Sequence, residues 1–126
     1  MKIKRANPTR WQTNTEYMEP VNWTSDNVDT KLMIRVENGQ TSPVAWWLMA
    51  SYMYYRHNIS LLKDETFDWL GHWIKDNWTA IKHPNKRLIK KSATFTGYYV
   101  KNYPIRVQSA AWQMAELLGK VPVSKE

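Results

Sequence analysis

A chain of 126 residues is the size of one domain and can bury one modest core. It has no cysteine, which excludes disulfide staples and thiolate metal sites and fits a reducing compartment. Its net charge of +7, beside eight Trp and seven Tyr, points either to an anionic partner or to a well-solvated basic surface.

The opening string MKIKRANPTRW lacks the apolar core of a secretory signal. The longest apolar run, residues 44–55, falls short of the ~20 residues that a membrane span needs. The expectation is a cytoplasmic protein with no membrane partner, organised as a single domain over residues 1–126.

Residues 1–42 read as a polar, extended N-terminal segment, broken by Pro8 and Pro20. Within it only KLMIRVE (residues 31–37) alternates as a short strand does, with Leu32, Ile34 and Val36 on one face. The turn NGQTSP then leads into a helix, since Ser42 suits the cap and Pro43 the first helical position. That helix is predicted over residues 43–57, with Val44, Trp47, Leu48, Ser51, Tyr52 and Tyr55 on one face and Asn58 ending it.

After the loop NISLLK, Asp64 is the expected N-cap of a second helix whose apolar stripe is Phe67, Leu70, Ile74 and Trp78. KHPN (residues 82–85) is expected to stop it, because proline disfavours helix in the residue before it. Residues 43–85 thus read as an antiparallel helical hairpin. Residues 86–126 begin basic and aromatic, with 94–100 extended. A third helix follows at 105–118, with Val107, Ala110, Ala111, Met114, Leu117 and Leu118 inward and Gly119 and Pro122 ending it. The fold class expected is mainly α, with irregular or short β flanks.

The hairpin carries a resemblance. The strings YMYY (residues 52–55), DETFD (64–68) and KHP (82–84) resemble domain Ia of bacterial NAD-dependent DNA ligases, whose pattern is Y-x-Y-H, a short loop, D-A-E-Y-D, and K-H-P after the second helix. The resemblance covers residues 46 to about 88. It implies a helical domain that closes over the nicotinamide mononucleotide (NMN) half of NAD. Carried over by position, Tyr54 and Phe67 would stack on the nicotinamide ring, while Asp64 and Asp68 would accept hydrogen bonds from the ligand. A flat cationic ring is attracted to aromatic faces and to carboxylates, so these residue types suit that ligand. Tyr55 completes the expected ligand-binding set, standing where the family has a His that handles the phosphate, and Phe67 stands where it has a Tyr. Arg56 and His57 are the neighbouring substitutes for the missing His.

The adenylating Lys of the ligase K-x-D-G motif has no counterpart, so the resemblance implies a non-catalytic, stand-alone binding module with no required cofactor and NMN or NAD as ligand. The three histidines, His57, His72 and His83, have no metal-motif spacing, and no metal site is expected. Two other readings stay open. A Trp-rich, basic module could bind a protein partner, as a phage-type device that modulates a host or replication enzyme. Alternatively Lys82, Lys86, Arg87, Lys90, Lys91, Lys101 and Arg106, interleaved with Phe95, Tyr98, Tyr99 and Tyr103, suit DNA or RNA, with cations tracking phosphates and rings stacking on bases.

Overall fold

The computed structural model describes residues 21–122. They form four α-helices: α1 (Val28–Glu37), α2 (Pro43–His57), α3 (Asp64–Asp76) and α4 (Ile105–Leu117). Two short 3₁₀ turns, Pro84–Leu88 and Lys91–Ala93, lie between α3 and α4, and there is no strand among the described residues. The mainly α, small single-domain fold expected from the sequence is therefore present, and among the described residues its flanks are irregular rather than β. Residues 1–20 of the expected polar N-terminal segment lie outside the described residues. Among the described residues no helix is long and apolar enough to cross a membrane.

The central element is α2. Ser42 caps it as expected, its hydroxyl accepting from the Ala45 N–H at 3.2 Å, and Pro43 opens it. Asn58 ends it in the left-handed conformation (φ 58°), with the Ile59 N–H reaching back to the Met53 carbonyl at 3.0 Å. That pairing satisfies a carbonyl the helix would otherwise leave open. The sequence reading gave α2 one buried face. In the structure Val44 and every residue from Trp46 to Met53 are buried, so the helix is enclosed on all sides along this length. A helix that is apolar all round belongs in a core. It packs against α3 and α4, and Trp23 covers it with ring centroids 5.0 Å from Trp46.

The strand expected at residues 31–37 is the C-terminal part of α1. Val28, Leu32 and Val36 recur every fourth residue and are buried, whereas Ile34 is 51% exposed. The period is helical, and the alternation of three residues was too short to discriminate. The signal that was missed lies upstream. Thr24 and Asn27 bond reciprocally, side chain to backbone, at 2.9 and 3.1 Å, which starts the helical turn.

Helix α3 stops at Asp76, well before KHPN. The Asn77 side chain donates to the Trp73 carbonyl at 2.9 Å and closes the end. The intended stop instead nucleates the first 3₁₀ turn, where His83 Nδ1 accepts from the Asn85 N–H at 3.1 Å. Burial pushes the His83 imidazole down in pKa, in keeping with a neutral ring that accepts there. Helix α4 lies close to expectation, but Leu117 is 61% exposed and Ala115 takes its place in the core.

The segment expected to be extended at 94–100 forms turns, because side chains rather than a neighbouring strand satisfy its backbone. The Trp47 indole N–H donates to the Thr94 carbonyl at 2.8 Å. The Tyr99 hydroxyl donates to the Ala93 carbonyl at 2.9 Å and accepts from the Lys90 N–H at 2.8 Å. Arg56 donates to the Val100 and Lys101 carbonyls at 3.1 and 2.7 Å. Gly97 lies so close to α2 that an added Cβ would fall 1.5 Å from Ser51 Oγ, so a side chain there is excluded.

The helical assignment of α1 makes a test. Leu32→Ala should cost about 2–5 kcal/mol in urea unfolding, as deletion of a buried Leu does. Ile34→Ser should change stability by no more than ~0.5 kcal/mol, as at an exposed surface position. Comparable losses at both positions would restore the strand.

Candidate functional site

Four parts of the chain meet at a cleft of about 270 Å³. Helix α2 supplies Ala50, Ser51, Tyr54 and Tyr55; the α2–α3 loop supplies Ser60, Leu61 and Leu62; α3 supplies Asp64, Phe67 and Asp68; and the segment after the second 3₁₀ turn supplies Phe95. All five residues expected to bind a ligand, Tyr54, Tyr55, Asp64, Phe67 and Asp68, line this one cleft.

Each is held by identifiable packing. The Phe67 ring stacks on buried Trp47, centroids 5.5 Å apart at 29°. Tyr54 is about half exposed and meets Tyr55 edge-on at 4.9 Å. The Tyr55 hydroxyl shares a hydrogen bond with Thr96 Oγ1 at 2.9 Å. Ser51, fully buried, shares one with the Tyr103 hydroxyl at 3.0 Å. Burial pushes the Tyr103 phenol up in pKa, and the Ser51 hydrogen bond works against that shift. Asp64 and Asp68 are one helical turn apart and exposed, and neither carboxylate has a hydrogen-bond or ion-pair partner among the described residues.

Asp64 is not the N-cap of α3. Lys63 takes that place, and the first helical hydrogen bonds run from the Thr66 and Phe67 N–H groups to its carbonyl at 3.0 and 3.1 Å. Asp64 is the first residue of the helix itself. The loop is instead held by almost fully buried Asp29 of α1, whose carboxylate accepts from the Lys63 N–H at 2.9 Å. The fastening came from a residue 34 positions away, where no local pattern points.

The proposed substitutes for the family His do not reach the cleft. Arg56 is turned about 200° round the helix from Tyr54, and His57, although one turn on from Tyr54, is directed to Tyr52 and Trp112. Arg56 is spent on the Val100 and Lys101 carbonyls and lies 5.5 Å from the Tyr103 ring centroid. His57 Nε2 bonds the Tyr52 hydroxyl at 2.9 Å, and its ring lies edge-on to Trp112. Both line a separate hollow with Lys101, Asn102 and Gln108. His83 and its neighbours in KHP do not line the cleft either.

The basic-aromatic residues divide. Lys86 donates to the Trp78 and Ile81 carbonyls at 2.5 and 3.2 Å and lies 4.6 Å from the Trp78 ring centroid, which makes it a clamp on the end of α3. Lys90 lies over the Tyr99 ring at 5.0 Å. Burial pushes the Tyr99 phenol up in pKa, with the Lys90 backbone hydrogen bond opposing it. Lys82, Arg87, Lys91, Lys101 and Arg106 are exposed, and Tyr98 is 81% exposed. Phe95 was grouped with these residues by sequence, yet it lines the cleft and packs on His72 at 4.5 Å.

The capping assignment is open to measurement. Asp64→Ala should lower stability by no more than about 1 kcal/mol, the loss of one favourable first-turn charge. Asp29→Ala should cost about 1.5–3 kcal/mol, since it removes a charged acceptor from a fixed N–H. Thermal unfolding of the two variants would contradict the assignment if Asp64→Ala proved the more damaging.

No protein-family model matches the chain, and no curated protein or solved structure matches it either. The likeness to the ligase domain rests on the short strings around Tyr54, Asp64–Asp68 and KHP.

Proposed function

We propose that the chain is a non-catalytic binding module of the cytoplasm whose cleft takes the nicotinamide nucleoside end of NMN or NAD. One observation supports this above the rest. Two carboxylates without partners among the described residues stand beside the rings of Tyr54, Phe67 and Phe95 in one small cleft. Aromatic faces suit a flat cationic ring, and carboxylates accept from ribose hydroxyls. At about 270 Å³ the cleft lies just below the ~300 Å³ at which drug-sized pockets begin, so it suits a ring and a sugar rather than a whole dinucleotide. The chain lacks the K-x-D-G lysine, so the proposal includes no adenylyl transfer.

A protein partner, such as a host or replication enzyme, is a second reading. It is favoured by Tyr98, 81% exposed and edge-on to Tyr55 at 6.2 Å, which extends the cleft's aromatic rim onto the surface. DNA or RNA binding has less support, because Lys86 and Lys90 are engaged by neighbouring groups.

Amide NMR titration with NMN and NAD tests the proposal. Saturable shifts are expected at Tyr54, Asp64, Phe67 and Asp68, and affinity should fall roughly tenfold to a hundredfold in Asp68→Asn, the loss of a charged hydrogen bond. Shifts confined to residues 82–106 on adding a single-stranded oligonucleotide, with none from the nucleotides, would replace it with the nucleic-acid reading.

A further inference from the structure

The hollow that Arg56 and His57 line, on the other side of α2 from the cleft, has a charge character of its own. Lys101 lines it with them, and no Asp or Glu does. Its walls come from α2, residues 100–104 and α4. Across those three stretches the one carboxylate is Glu116, which lies more than two turns past Gln108, about 12 Å along the helix axis.

The basic groups are set in place by bonds that leave donors over. Arg56 makes both of its bonds, to the Val100 and Lys101 carbonyls, through Nη2, and its guanidinium lies 5.5 Å from the Tyr103 ring centroid. Its Nε and Nη1 have no partner among the described residues. Lys101 is exposed, and its ammonium likewise has no partner among the described residues. A chain of bonds orders His57. Gln108 Nε2 donates to the Tyr103 carbonyl at 2.9 Å, which turns Gln108 Oε1 toward the Tyr52 hydroxyl at 3.4 Å. Tyr52 donates its one proton there, and so it accepts from His57 Nε2 at 2.9 Å. A second proton on His57, at Nδ1, would make it a cation without breaking that chain.

We infer that this hollow binds the phosphate group of a small phosphate monoester, such as a sugar phosphate. A phosphate monoester carries roughly −1.5 to −2 near neutral pH and offers three acceptor oxygens, which suits a guanidinium, an ammonium and an imidazole around one space. At about 390 Å³ the hollow falls within the ~300–1,000 Å³ of small-molecule sites, so a sugar fits beside the phosphate. The rings that line it, Tyr52 and Tyr103, are only 8% and 6% exposed and offer no open face on which nucleic-acid bases would stack. Nothing here depends on what the cleft across α2 binds.

Amide NMR titration with ribose 5-phosphate tests this, with ribose as the unphosphorylated control. Saturable shifts are expected at Arg56, Lys101, Asn102 and Gln108 with the ester, and none with ribose. Lys101→Glu should weaken binding roughly tenfold or more, as loss of a charged hydrogen bond does. Lys75→Glu makes the same change of charge at an exposed position of α3 outside the hollow, and screening should hold its effect within about twofold. Three results would each overturn the inference: no saturable shifts at the hollow, equal weakening by the two variants, or shifts that ribose alone reproduces. Shifts from the ester at Tyr54, Asp64 and Asp68 instead would place the phosphate in the cleft and overturn it as well.

Discussion

The cleft side of the molecule rests on the Trp47 indole. It is fully buried in the middle of α2, so its single N–H must find an acceptor or cost stability. It finds the Thr94 carbonyl at 2.8 Å, and that bond anchors a segment with no regular structure of its own. The other side of the indole supports Phe67, and Tyr99 tilts against it at 6.3 Å. Three walls of the cleft, from α2, α3 and the segment carrying Phe95, are thereby referred to one rigid side chain.

The remaining wall is the loop before α3, and Asp29 holds it. A buried carboxylate costs free energy unless it is well paired, and the Lys63 N–H provides that pairing. The arrangement has a consequence for chemistry. With the loop fastened from α1 and with Lys63 as cap, Asp64 has no structural hydrogen bond to make. It stands with Asp68 at the start of α3, where the helix dipole favours negative charge. The molecule thus keeps two carboxylates exposed in an aromatic setting. Three of its basic side chains, Arg56, Lys86 and Lys90, are engaged on backbone carbonyls and ring faces.

How much was legible in the sequence follows from how local each signal is. The bounds of α2 came from Ser42, Pro43 and Asn58, residues that act on their immediate neighbours, and the structure repeats them. The five cleft residues also came from local strings, and helical spacing carried Tyr54 with Tyr55 and Asp64 with Phe67 and Asp68 to one place. What failed was non-local or too short. Three alternating apolar residues passed for a strand while their helical partner Val28 lay outside the window. The turns at 94–100 depend on Trp47 and Arg56, more than forty residues away in the chain. Phe95 belongs to the cleft only because that same segment folds back onto α3. The local strings also hid the direction of Arg56 and His57, which bond the carbonyls of Val100 and Lys101 and the Tyr52 hydroxyl rather than line the cleft.

The central claim is that a cationic ring lies between Tyr54, Phe67 and Phe95 with Asp64 and Asp68 beside it. The most direct measurement is a set of intermolecular NOEs between the ring protons of oxidised nicotinamide riboside and the aromatic side chains of the protein. The account predicts cross-peaks to Tyr54, Phe67 and Phe95, and none to His57, Trp112 or Tyr103 on the other side of α2. Cross-peaks to that second group, with the cleft rings silent, would contradict it.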